Sequence, residues 1–527
     1  MRREELIAPL HYNLTNEIEK NVMDPKKIAI QWVSESGNKE EITYVELMKA
    51  SNRIGNVFLK RGLGKGDSIL IVVPRLIMAY QVYIGALKAG LILIPSSEML
   101  KAKDLRYRIN HGDVKAVVCY EEFVSEFDSI KEVQHLVKIS IGGKKEGWLS
   151  LEEEMERESG ELDAVQTTRD DIAFLSYTSG TTGNPKAVVH THGWAHAHLK
   201  TTASNWLYID EQDLVWATAA PGWQKWVWSP FLCVLGTGAT GFVYNGKFEP
   251  RTYLSLLEKY KINVLCCTPT EYRLMAKVDD LGRFNLEHLQ SAVSAGEPLN
   301  REVIEAFRKC FQITVRDGYG QTENTLLIGV TKGMEVKLGS MGKPTPGNRV
   351  EIINDYGEVC EVGEVGDIAV HISTPALFKE YYKDSVRTAM QYRGEYYVTG
   401  DRAKKDAEGY FWFEGRGDDI IISSGYTIGP FEVEDALIKH PSVKECAVVA
   451  SPDEVRGNIV KAFVVLKDGI NSQDPELIPA LQEHVKGLTA PYKYPRSIEF
   501  INELPKTSSG KIRRIELQKK EIEDVTH

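Results

Sequence analysis

The chain alternates short, continuous apolar runs with segments of helical period. Residues 69–73 and 91–94 are apolar almost throughout, and residues 80–90 between them have helical character. Upstream, Thr43 and Glu46 form a capping-box pattern at the start of another helix. A short strand without polar alternation is typical of a parallel sheet that is covered by helices on both faces. We therefore predict an α/β fold built on packed, largely parallel sheets.

The pattern changes after about residue 345, where the strand-like runs become short, alternating and interrupted by glycine. This change predicts a small antiparallel β subdomain. A charged, glycine-rich segment at 414–419 is the predicted boundary, and the two helix-like and two strand-like segments beyond it predict a small α+β unit. We therefore expect an N-terminal domain over residues 1–417 and a C-terminal domain over residues 418–527.

The composition excludes several classes of protein. The chain has 64 Lys and Arg against 74 Asp and Glu, a net charge of −10, which argues against nucleic acid or an anionic membrane as a partner. Seven cysteines without Cys-x-x-Cys spacing indicate reduced thiols in a cytoplasmic protein. The apolar runs are too short to span a bilayer, and none follows the charged N-terminus. We expect a cytoplasmic enzyme without membrane insertion.

The segment Tyr177-Thr-Ser-Gly-Thr-Thr-Gly-Asn-Pro-Lys186 carries the densest chemical signal. Four hydroxyls and two glycines lie within seven residues, and a lysine ends the segment. Glycines allow a close approach of the backbone, while hydroxyls, amides and an ammonium group suit phosphate oxygens. The spacing is not that of a Walker A loop, in which the lysine directly follows glycine. The segment predicts a phosphate-binding loop rather than an ordinary solvated one.

Further motifs follow in the order Ser294-Ala-Gly-Glu-Pro298, Asp317-Gly-Tyr-Gly-Gln-Thr-Glu323, Tyr397-Val-Thr-Gly-Asp401, Arg416 and Pro505-Lys-Thr-Ser-Ser-Gly-Lys511. With the loop before them, they resemble the adenylate-forming enzymes, a family that includes acyl-CoA synthetases, luciferases and adenylation domains. The resemblance covers nearly the whole chain. It implies that a carboxylate attacks the α-phosphate of ATP, giving an acyl-adenylate and pyrophosphate, before a thiol takes the acyl group.

The resemblance also implies roles for individual residues. Lys511, Glu323 and Lys186 are the catalytic residues, and Glu323 holds Mg²⁺. Asp418 is the hinge of a mobile C-terminal domain. The implied nucleotide contacts are Thr178, Ser179, Gly180, Thr181, Thr182, Gly183, Lys186, Gly296, Glu297, Pro298, Asp317, Gly318, Tyr319, Gly320, Gln321, Thr322, Asp401 and Arg416. The basic residues beside Lys511 are interpreted as a solvated helix face: Arg513, Arg514, Lys519 and Lys520.

The thiol is expected to be that of coenzyme A, because the chain carries no fused carrier domain. By resemblance, Ser424 and Gly425 lie near the path of its pantetheine arm. Thr427 stands where the family often has arginine, so another cation must contact CoA, with Lys493 and Arg496 as candidates. A carrier-protein thiol stays open as an alternative acceptor. A non-catalytic nucleotide-binding regulatory protein stays open as an alternative function, and the chain is a possible homodimer. A serine hydrolase is disfavoured because no Gly-x-Ser-x-Gly elbow occurs.

Two features bear on the carboxylic acid. Gly320 stands where acetate-specific members carry tryptophan, which leaves room for a longer tail. The segment around Trp223 resembles the aromatic wall of medium-chain and short-branched-chain acyl-CoA synthetases, although Trp226 and Trp228 are equally well explained as core residues. We predict straight or branched acids of roughly four to eight carbons.

Four histidines, at 190, 192, 196 and 198, lie close enough in sequence to raise the question of a zinc site. Their spacing spans a predicted strand-to-helix turn, and no Cys or Asp joins them. We therefore expect them not to bind zinc.

Overall fold

The structure, a computed structural model, describes residues 1–178, 185–297, 299–417, 419–423, 426–453, 457–506 and 512–525. In chain order the strands β1 to β26 are Ile28–Ser34, Lys39–Thr43, Ser68–Val72, Ile92–Pro95, Val114–Tyr120, Val137–Ile141, Leu149–Ser150, Ile172–Thr178, Lys186–Thr191, Leu214–Ala217, Thr240–Asn245, Val264–Cys267, Ser291–Ala295, Val315–Gly320, Leu326–Gly329, Lys343–Pro344, Val350–Ile353, Val365–His371, Tyr392–Arg393, Tyr396–Lys405, Phe411–Arg416, Ile421–Ser423, Tyr426–Ile428, Val443–Asp453, Gly457–Leu466 and Ser497–Phe500.

In chain order the α-helices α1 to α16 are Asn16–Glu19, Tyr44–Lys60, Ile77–Lys88, Ala102–His111, Val124–Asp128, Leu151–Met155, His192–His198, Gln224–Trp226, Val234–Thr237, Pro250–Tyr260, Pro269–Ala276, Arg301–Phe311, Ser385–Met390, Pro430–Ile438, Leu477–Leu488 and Arg514–Val525. Two π-helical segments, Leu199–Leu207 and Val227–Cys233, continue α7 and α8. The capping box predicted at Thr43 and Glu46 is present at the start of α2.

Two large sheets form the N-terminal part of the chain. One has seven strands in the order β7-β6-β5-β3-β4-β8-β9, and the other has nine in the order β16-β15-β14-β13-β12-β10-β11-β1-β2. The central strands of both are parallel, while β9, β2, β15 and β16 join in antiparallel fashion. The central strands β3, β4 and β12 are buried at every position, as their unbroken apolar sequences require.

The remaining sheets are smaller. β17, β18, β19, β20 and β21 form an antiparallel sheet, and the C-terminal segment contains the hairpin β22–β23 and the sheet β24-β25-β26 with its helices. The predicted fold class is confirmed: largely parallel α/β sheets, an antiparallel subdomain and an α+β C-terminal unit. Asp418, the predicted boundary and hinge, lies outside the described residues. Within the described part of the chain, no helix combines the length and apolar character needed to cross a membrane.

The C-terminal unit contacts the N-terminal part on the side of α11 and α12. Lys277 Nζ donates to the carbonyl oxygen of Lys444 at 3.3 Å, and Lys506 forms an ion pair with the adjacent Glu445 at 2.8 Å. Lys506 directly precedes residues 507–511, which are outside the described residues. The approach to the lysine motif therefore begins on this side of the molecule.

Arg514 corrects one expectation from the sequence. It does not belong to a solvated face, because its guanidinium forms an ion pair with the buried Glu434 at 2.7 Å. The cause is the packing of α16 against β24, which brings the first turn of the helix over the carboxylate. Arg514 therefore holds the C-terminal unit together.

Candidate active site

The strands on either side of the predicted phosphate loop are paired. β8 ends at Thr178 and β9 begins at Lys186, and these two residues are partners in the antiparallel ladder. The hydroxyl of Thr178 is buried and forms no hydrogen bond with any of the described residues. Residues 179–184, which include the other predicted loop contacts, lie outside the described residues. The pairing brings Lys186 to the position where the loop leaves the sheet.

Lys186 lies in a compact group with Glu323 and Tyr381. Its Nζ is 2.6 Å from Oε1 of Glu323 and 2.7 Å from the hydroxyl of Tyr381, and that hydroxyl donates to the same Oε1 at 2.8 Å. The ammonium group also lies 4.4 Å from the centre of the Tyr381 ring. Glu323 and Tyr381 are both buried. Two predicted catalytic residues from segments 137 residues apart are therefore in direct contact.

This carboxylate fits the predicted role in holding Mg²⁺. Within the described residues, Oε2 of Glu323 takes part in no hydrogen bond, so one oxygen is left for a ligand. The described residues contain no group of three or more His, Cys, Asp or Glu that could hold a metal by themselves. Mg²⁺ ordinarily binds through one or two carboxylates together with substrate phosphates. A single buried carboxylate beside a phosphate loop suits an ion that arrives with a nucleotide.

Asp401 contacts the middle of the segment 317–323. Its Oδ2 accepts hydrogen bonds from the hydroxyl of Tyr319 at 2.6 Å and from Nε2 of Gln321 at 2.7 Å. Across the β20–β21 ladder, Asp401 is the partner of Arg416, whose side chain is exposed. The structure thus brings together Asp401 and Arg416, the two residues predicted to bracket a ribose.

Asp317 begins this motif as a buried carboxyl without a cation. On β14 it is the register partner of Ser294 on β13, which leads into Gly296 and Glu297. Its Oδ1 accepts a hydrogen bond from the backbone N–H of Gly318 at 2.8 Å. Burial raises the pKa of Asp317 to about 7. This carboxyl is therefore about half protonated near pH 7.

Gly296 and Glu297 lie in the segment after β13. Gly296 has a φ of +111°, a conformation that favours glycine. Glu297 forms an ion pair with Arg273 of α11 at 3.1 Å, and the same arginine donates to Asn300 at 3.0 Å. Pro298 is outside the described residues. Arg273 therefore fixes the two ends of this segment, a role that no sequence motif indicated.

The backbone geometry also explains why residue 320 is glycine, apart from the room that it leaves for a substrate. A Cβ atom at this position would lie 2.1 Å from the carbonyl oxygen of Thr325, so the turn after β14 requires glycine in this conformation. Thr322 contributes its carbonyl oxygen, which accepts a hydrogen bond from Nε2 of His190 at 2.5 Å. The predicted effect of Gly320 on chain length stays a prediction.

Trp223 is half-buried and begins α8. The preceding Gly222 has a φ of +94°, and a Cβ atom there would lie 2.6 Å from the backbone of Ser96. Trp226 is instead a core residue, with its ring 4.7 Å from that of Tyr83. Of the aromatic residues in this segment, Trp223 alone is left among the described residues as a candidate wall for the acyl group, since Trp228 is also buried.

A cavity of about 390 Å³ lies beside this segment. Among its lining residues are Arg75, Glu98, Lys247 and Phe248, and Arg75 donates to the carbonyl oxygen of Thr218, which ends the strand before Trp223. Neither Arg75 nor Lys247 forms an ion pair with a carboxylate in the described part of the chain. Three carboxylates, Glu35, Glu98 and Glu271, line the same cavity, so basic and acidic side chains face it together.

The four histidines have separate partners. His190 donates to Thr322, His192 accepts from the N–H of Leu14, His196 contacts Glu17 and His198 contacts Thr325. Burial lowers the pKa of His190 and His192 to about 4 and that of His198 to about 3. His190, His192 and His198 are therefore neutral near pH 7, and each of the four rings has a partner of its own. The described residues contain no group of three or more His, Cys, Asp or Glu that could hold a metal ion.

The other predicted site residues fall outside the described residues, and their roles stay predictions. These are Ser179, Gly180, Thr181, Thr182, Gly183, Pro298, Asp418, Ser424, Gly425 and Lys511. Of the alternative cations for CoA, Lys493 forms an ion pair with Glu432, and Arg496 donates to the hydroxyl of Tyr494 at 2.8 Å. Both are therefore already engaged.

Comparison with known proteins gives a consistent result along the chain. The family described as AMP-binding enzyme matches residues 19–382, and the AMP-binding enzyme C-terminal domain matches residues 432–511. A Bacillus subtilis (strain 168) protein named uncharacterized acyl–CoA ligase YtcI is 63% identical over 521 residues, covering 99% of this chain and 98% of that protein.

More distant relatives agree with this match. The human mitochondrial acyl-coenzyme A synthetase ACSM3 is 39% identical over 533 residues, covering 98% of this chain and 91% of its own length. The crystal structure of the anthranilate CoA ligase AuaEII, in complex with anthranoyl-AMP, matches with a TM-score of 0.92 and 29% identity, and covers 100% of both chains.

Proposed function

The chain belongs to the AMP-binding enzyme family, and from this premise we propose that it is an AMP-forming acyl-CoA synthetase. It activates a carboxylic acid with ATP to an acyl-adenylate and pyrophosphate, and then transfers the acyl group to CoA. The observation that carries the proposal is that two residues from other parts of the chain contact the segment 317–323. Lys186 forms an ion pair with its Glu323, and Asp401 accepts a hydrogen bond from its Tyr319. We place the reaction in the cytoplasm, in fatty acid metabolism, consistent with the seven free cysteines.

In the first step these side chains bind and orient ATP. Asp401, held by Tyr319 and Gln321, accepts hydrogen bonds from the ribose hydroxyls, and Arg416 approaches from the neighbouring strand. Lys186 is half-buried beside Glu323, and a phosphate oxygen can replace the carboxylate as its partner. Mg²⁺, held by Glu323, supplies neutralisation of the phosphate charge when it is bound. Lys186 stabilises the charge that builds on the α-phosphate as the carboxylate attacks.

Lys511 is proposed to contact the reacting groups in this first step only. Its segment begins at Lys506, which forms an ion pair with Glu445, and the neighbouring Lys444 accepts a hydrogen bond from Lys277 at the end of α11. A turn of the C-terminal domain about Asp418 would remove Lys511 and bring the hairpin β22–β23 toward the site.

The test of this role uses the two half-reactions separately. We expect Lys511→Ala to abolish carboxylate-dependent ATP–pyrophosphate exchange but to leave thioester formation from preformed acyl-adenylate within about threefold of the wild-type rate. The control is Lys506→Ala, which removes a surface ion pair with Glu445 and should retain both half-reactions. An equal loss of both half-reactions in Lys511→Ala would contradict the two-conformation mechanism.

CoA is proposed to approach through the cavity that Arg75 and Lys247 line. Since Thr427 supplies no cation, these two side chains are the groups we assign to the CoA phosphates. Arg75→Met should raise the KM for CoA about tenfold or more, as the loss of a charge-assisted hydrogen bond predicts. It should leave pyrophosphate exchange unchanged. If CoA supports no AMP release but a carrier-protein thiol does, the alternative acceptor is correct.

The acid is proposed to be a straight or branched one of roughly four to eight carbons, with Trp223 along its tail. A panel of aliphatic acids and benzoate-type acids with ATP and CoA, read by AMP release, tests this range. Acetate or propionate exceeding every longer acid in kcat/KM would show that the acyl-site assignment is wrong. A chain that binds ATP but releases no pyrophosphate with any acid would instead support the non-catalytic regulatory protein.

A further inference from the structure

We propose that His190, Trp194 and His198 form a column of rings that positions the segment 322–325, and through it the carboxylate of Glu323. This inference rests on the proposed function, because it assigns Glu323 to the Mg²⁺–ATP site. The three residues are positioning residues, since none of them contacts the carboxylate itself. They come from the histidine-rich motif at 190–198, for which the reaction gives no other use.

The three rings are in contact in series: Trp194 and His198 are stacked with 12° between their planes, and His190 is tilted by 36° against Trp194. The centroids of His190 and Trp194 are 4.4 Å apart, and those of Trp194 and His198 are 4.9 Å apart. All three side chains are buried. A spacing of four residues places successive rings on one face of the chain as β9 turns into α7.

Each ring has a nitrogen in contact with the segment after the Gln-Thr motif. Nε2 of His190 donates to the carbonyl oxygen of Thr322 at 2.5 Å, and Nε1 of Trp194 donates to that of Asn324 at 2.9 Å. Nδ1 of His198 lies 2.6 Å from the hydroxyl of Thr325. Glu323 therefore lies between two residues whose carbonyl groups are fixed by the column.

The opposite side of Glu323 is fixed as well. Its own carbonyl oxygen accepts a hydrogen bond from the N–H of Phe378 at 2.7 Å, while Lys186 and Tyr381 contact its side chain. Lys186 and His190 both lie on β9. One strand therefore positions the ammonium group that pairs with Glu323 and the imidazole that holds the backbone beside it. A shift of Thr322 would change the distance between Lys186 and Glu323.

Packing alone does not account for a histidine at this position. Nδ1 of His190 is buried and forms no hydrogen bond within the described part of the chain, which costs free energy that a phenyl ring would avoid. The compensating interaction of the imidazole is its hydrogen bond to Thr322. The observed residue is thus explained by the position of the carbonyl group and not by the need to fill space.

The test compares His190→Phe, His190→Gln and His192→Phe with the wild-type chain. Phenylalanine keeps the stacking but removes the donor, whereas glutamine restores an N–H near the position of Nε2. His192 is the matched control, because it is equally buried and also has one unpaired ring nitrogen, but its partner is Leu14. Binding of ATP is measured by calorimetry over a series of Mg²⁺ concentrations, together with the thermal midpoint and pyrophosphate release.

We expect His190→Phe to weaken Mg²⁺-dependent ATP binding and to lower kcat for adenylation by about 10- to 100-fold each, as is usual when a group behind a metal ligand is removed. His190→Gln should recover most of both. His192→Phe should lower the thermal midpoint while leaving the Mg²⁺ dependence unchanged. Equal effects of His190→Phe and His192→Phe on ATP binding, or no rescue by glutamine, would overturn the inference.

The calorimetric readout separates this inference from the proposed function. A wild-type chain that binds Mg²⁺–ATP but turns over no acid would refute the proposed function alone, and the variants would still decide the role of His190. A wild-type chain that binds no Mg²⁺–ATP would refute both.

Discussion

The segment 317–323 has a buried carboxyl group at each end, and the two groups have different surroundings. Asp317 accepts a backbone hydrogen bond and has no cation as a partner, so burial raises its pKa to about 7. Glu323 lies 2.6 Å from the ammonium group of Lys186 and accepts a hydrogen bond from Tyr381. Asp317 lies on β14 and Glu323 in the turn that follows it, and the partners that face them come from different parts of the chain.

This difference shows how one short segment can serve two chemically different parts of a nucleotide. A carboxyl that is partly protonated near pH 7 suits the uncharged base, because it adds less repulsion against a polyanionic ligand than a fully ionised one. A carboxylate that forms an ion pair with a lysine suits the phosphates with their Mg²⁺. The predictions below test whether the two ends are as different as their partners indicate.

The largest expected effect is that of Asp317→Asn on stability. Because the folded pKa of about 7 is above the ordinary value of 3.8, ionisation destabilises the fold. The penalty is absent below about pH 4, grows as the pH rises, and is constant above about pH 7. The difference between these two pKa values corresponds to at most about 4 kcal/mol in the free energy of unfolding. Asp317→Asn should therefore be more stable than the wild type at about pH 8 and equal to it at about pH 4.

The measurement is the thermal midpoint of both chains as a function of pH. Asp367→Asn is the control, because it removes a carboxylate that is paired with Arg393 at 2.8 Å. That variant should be less stable than the wild type at about pH 8. A pH-independent difference between Asp317→Asn and the wild type would mean that the fold does not raise the pKa of Asp317.

Glu323→Gln should have the next largest effect, and on catalysis. The amide cannot balance the charge of Lys186 or provide an anionic ligand for Mg²⁺, so we expect kcat for acyl-adenylate formation to fall about 10²- to 10³-fold. Single-turnover pyrophosphate release measures it. Glu351→Gln, which loses an ion pair with Lys405 in the antiparallel sheet, should retain activity. A change in KM for ATP without a change in kcat would place Glu323 in binding alone.

Much of the fold could be predicted because its signals are local. The apolar runs of β3, β4 and β12 specify buried parallel strands without reference to the rest of the chain. The alternating runs after residue 345 likewise specify an antiparallel sheet. The pairing of Asp401 with Arg416 also follows from local order, since β20 and β21 are joined by a short turn.

The contacts that complete the site could not be predicted, because they join distant segments with no motif of their own. Tyr381 lies between β18 and α13, and nothing in its neighbours marks it as the partner of Lys186. Arg273 is an ordinary helix residue until the fold places Glu297 beside it. From the sequence, Gly320 is interpreted as making room for the acyl tail. In the structure, the backbone of Thr325 lies too close for any Cβ atom at this position.

Tyr381→Phe should have the smallest effect and tests how far the Glu323 end depends on more than its lysine. The variant loses two hydrogen bonds at one hydroxyl but keeps the ring 4.4 Å from the ammonium group and the direct contact between Lys186 and Glu323. Burial raises the pKa of Tyr381, so the hydroxyl stays protonated and acts as a donor. A neutral hydrogen bond contributes about 0.5–1.5 kcal/mol, so we expect kcat to fall about 2- to 10-fold. Tyr392→Phe, at a half-buried tyrosine of the antiparallel sheet, should leave kcat unchanged. A loss as large as that of Glu323→Gln would show that the hydroxyl matters more than the lysine for the function of this carboxylate. The contrast with Asp317 would then rest on hydrogen bonding instead of charge.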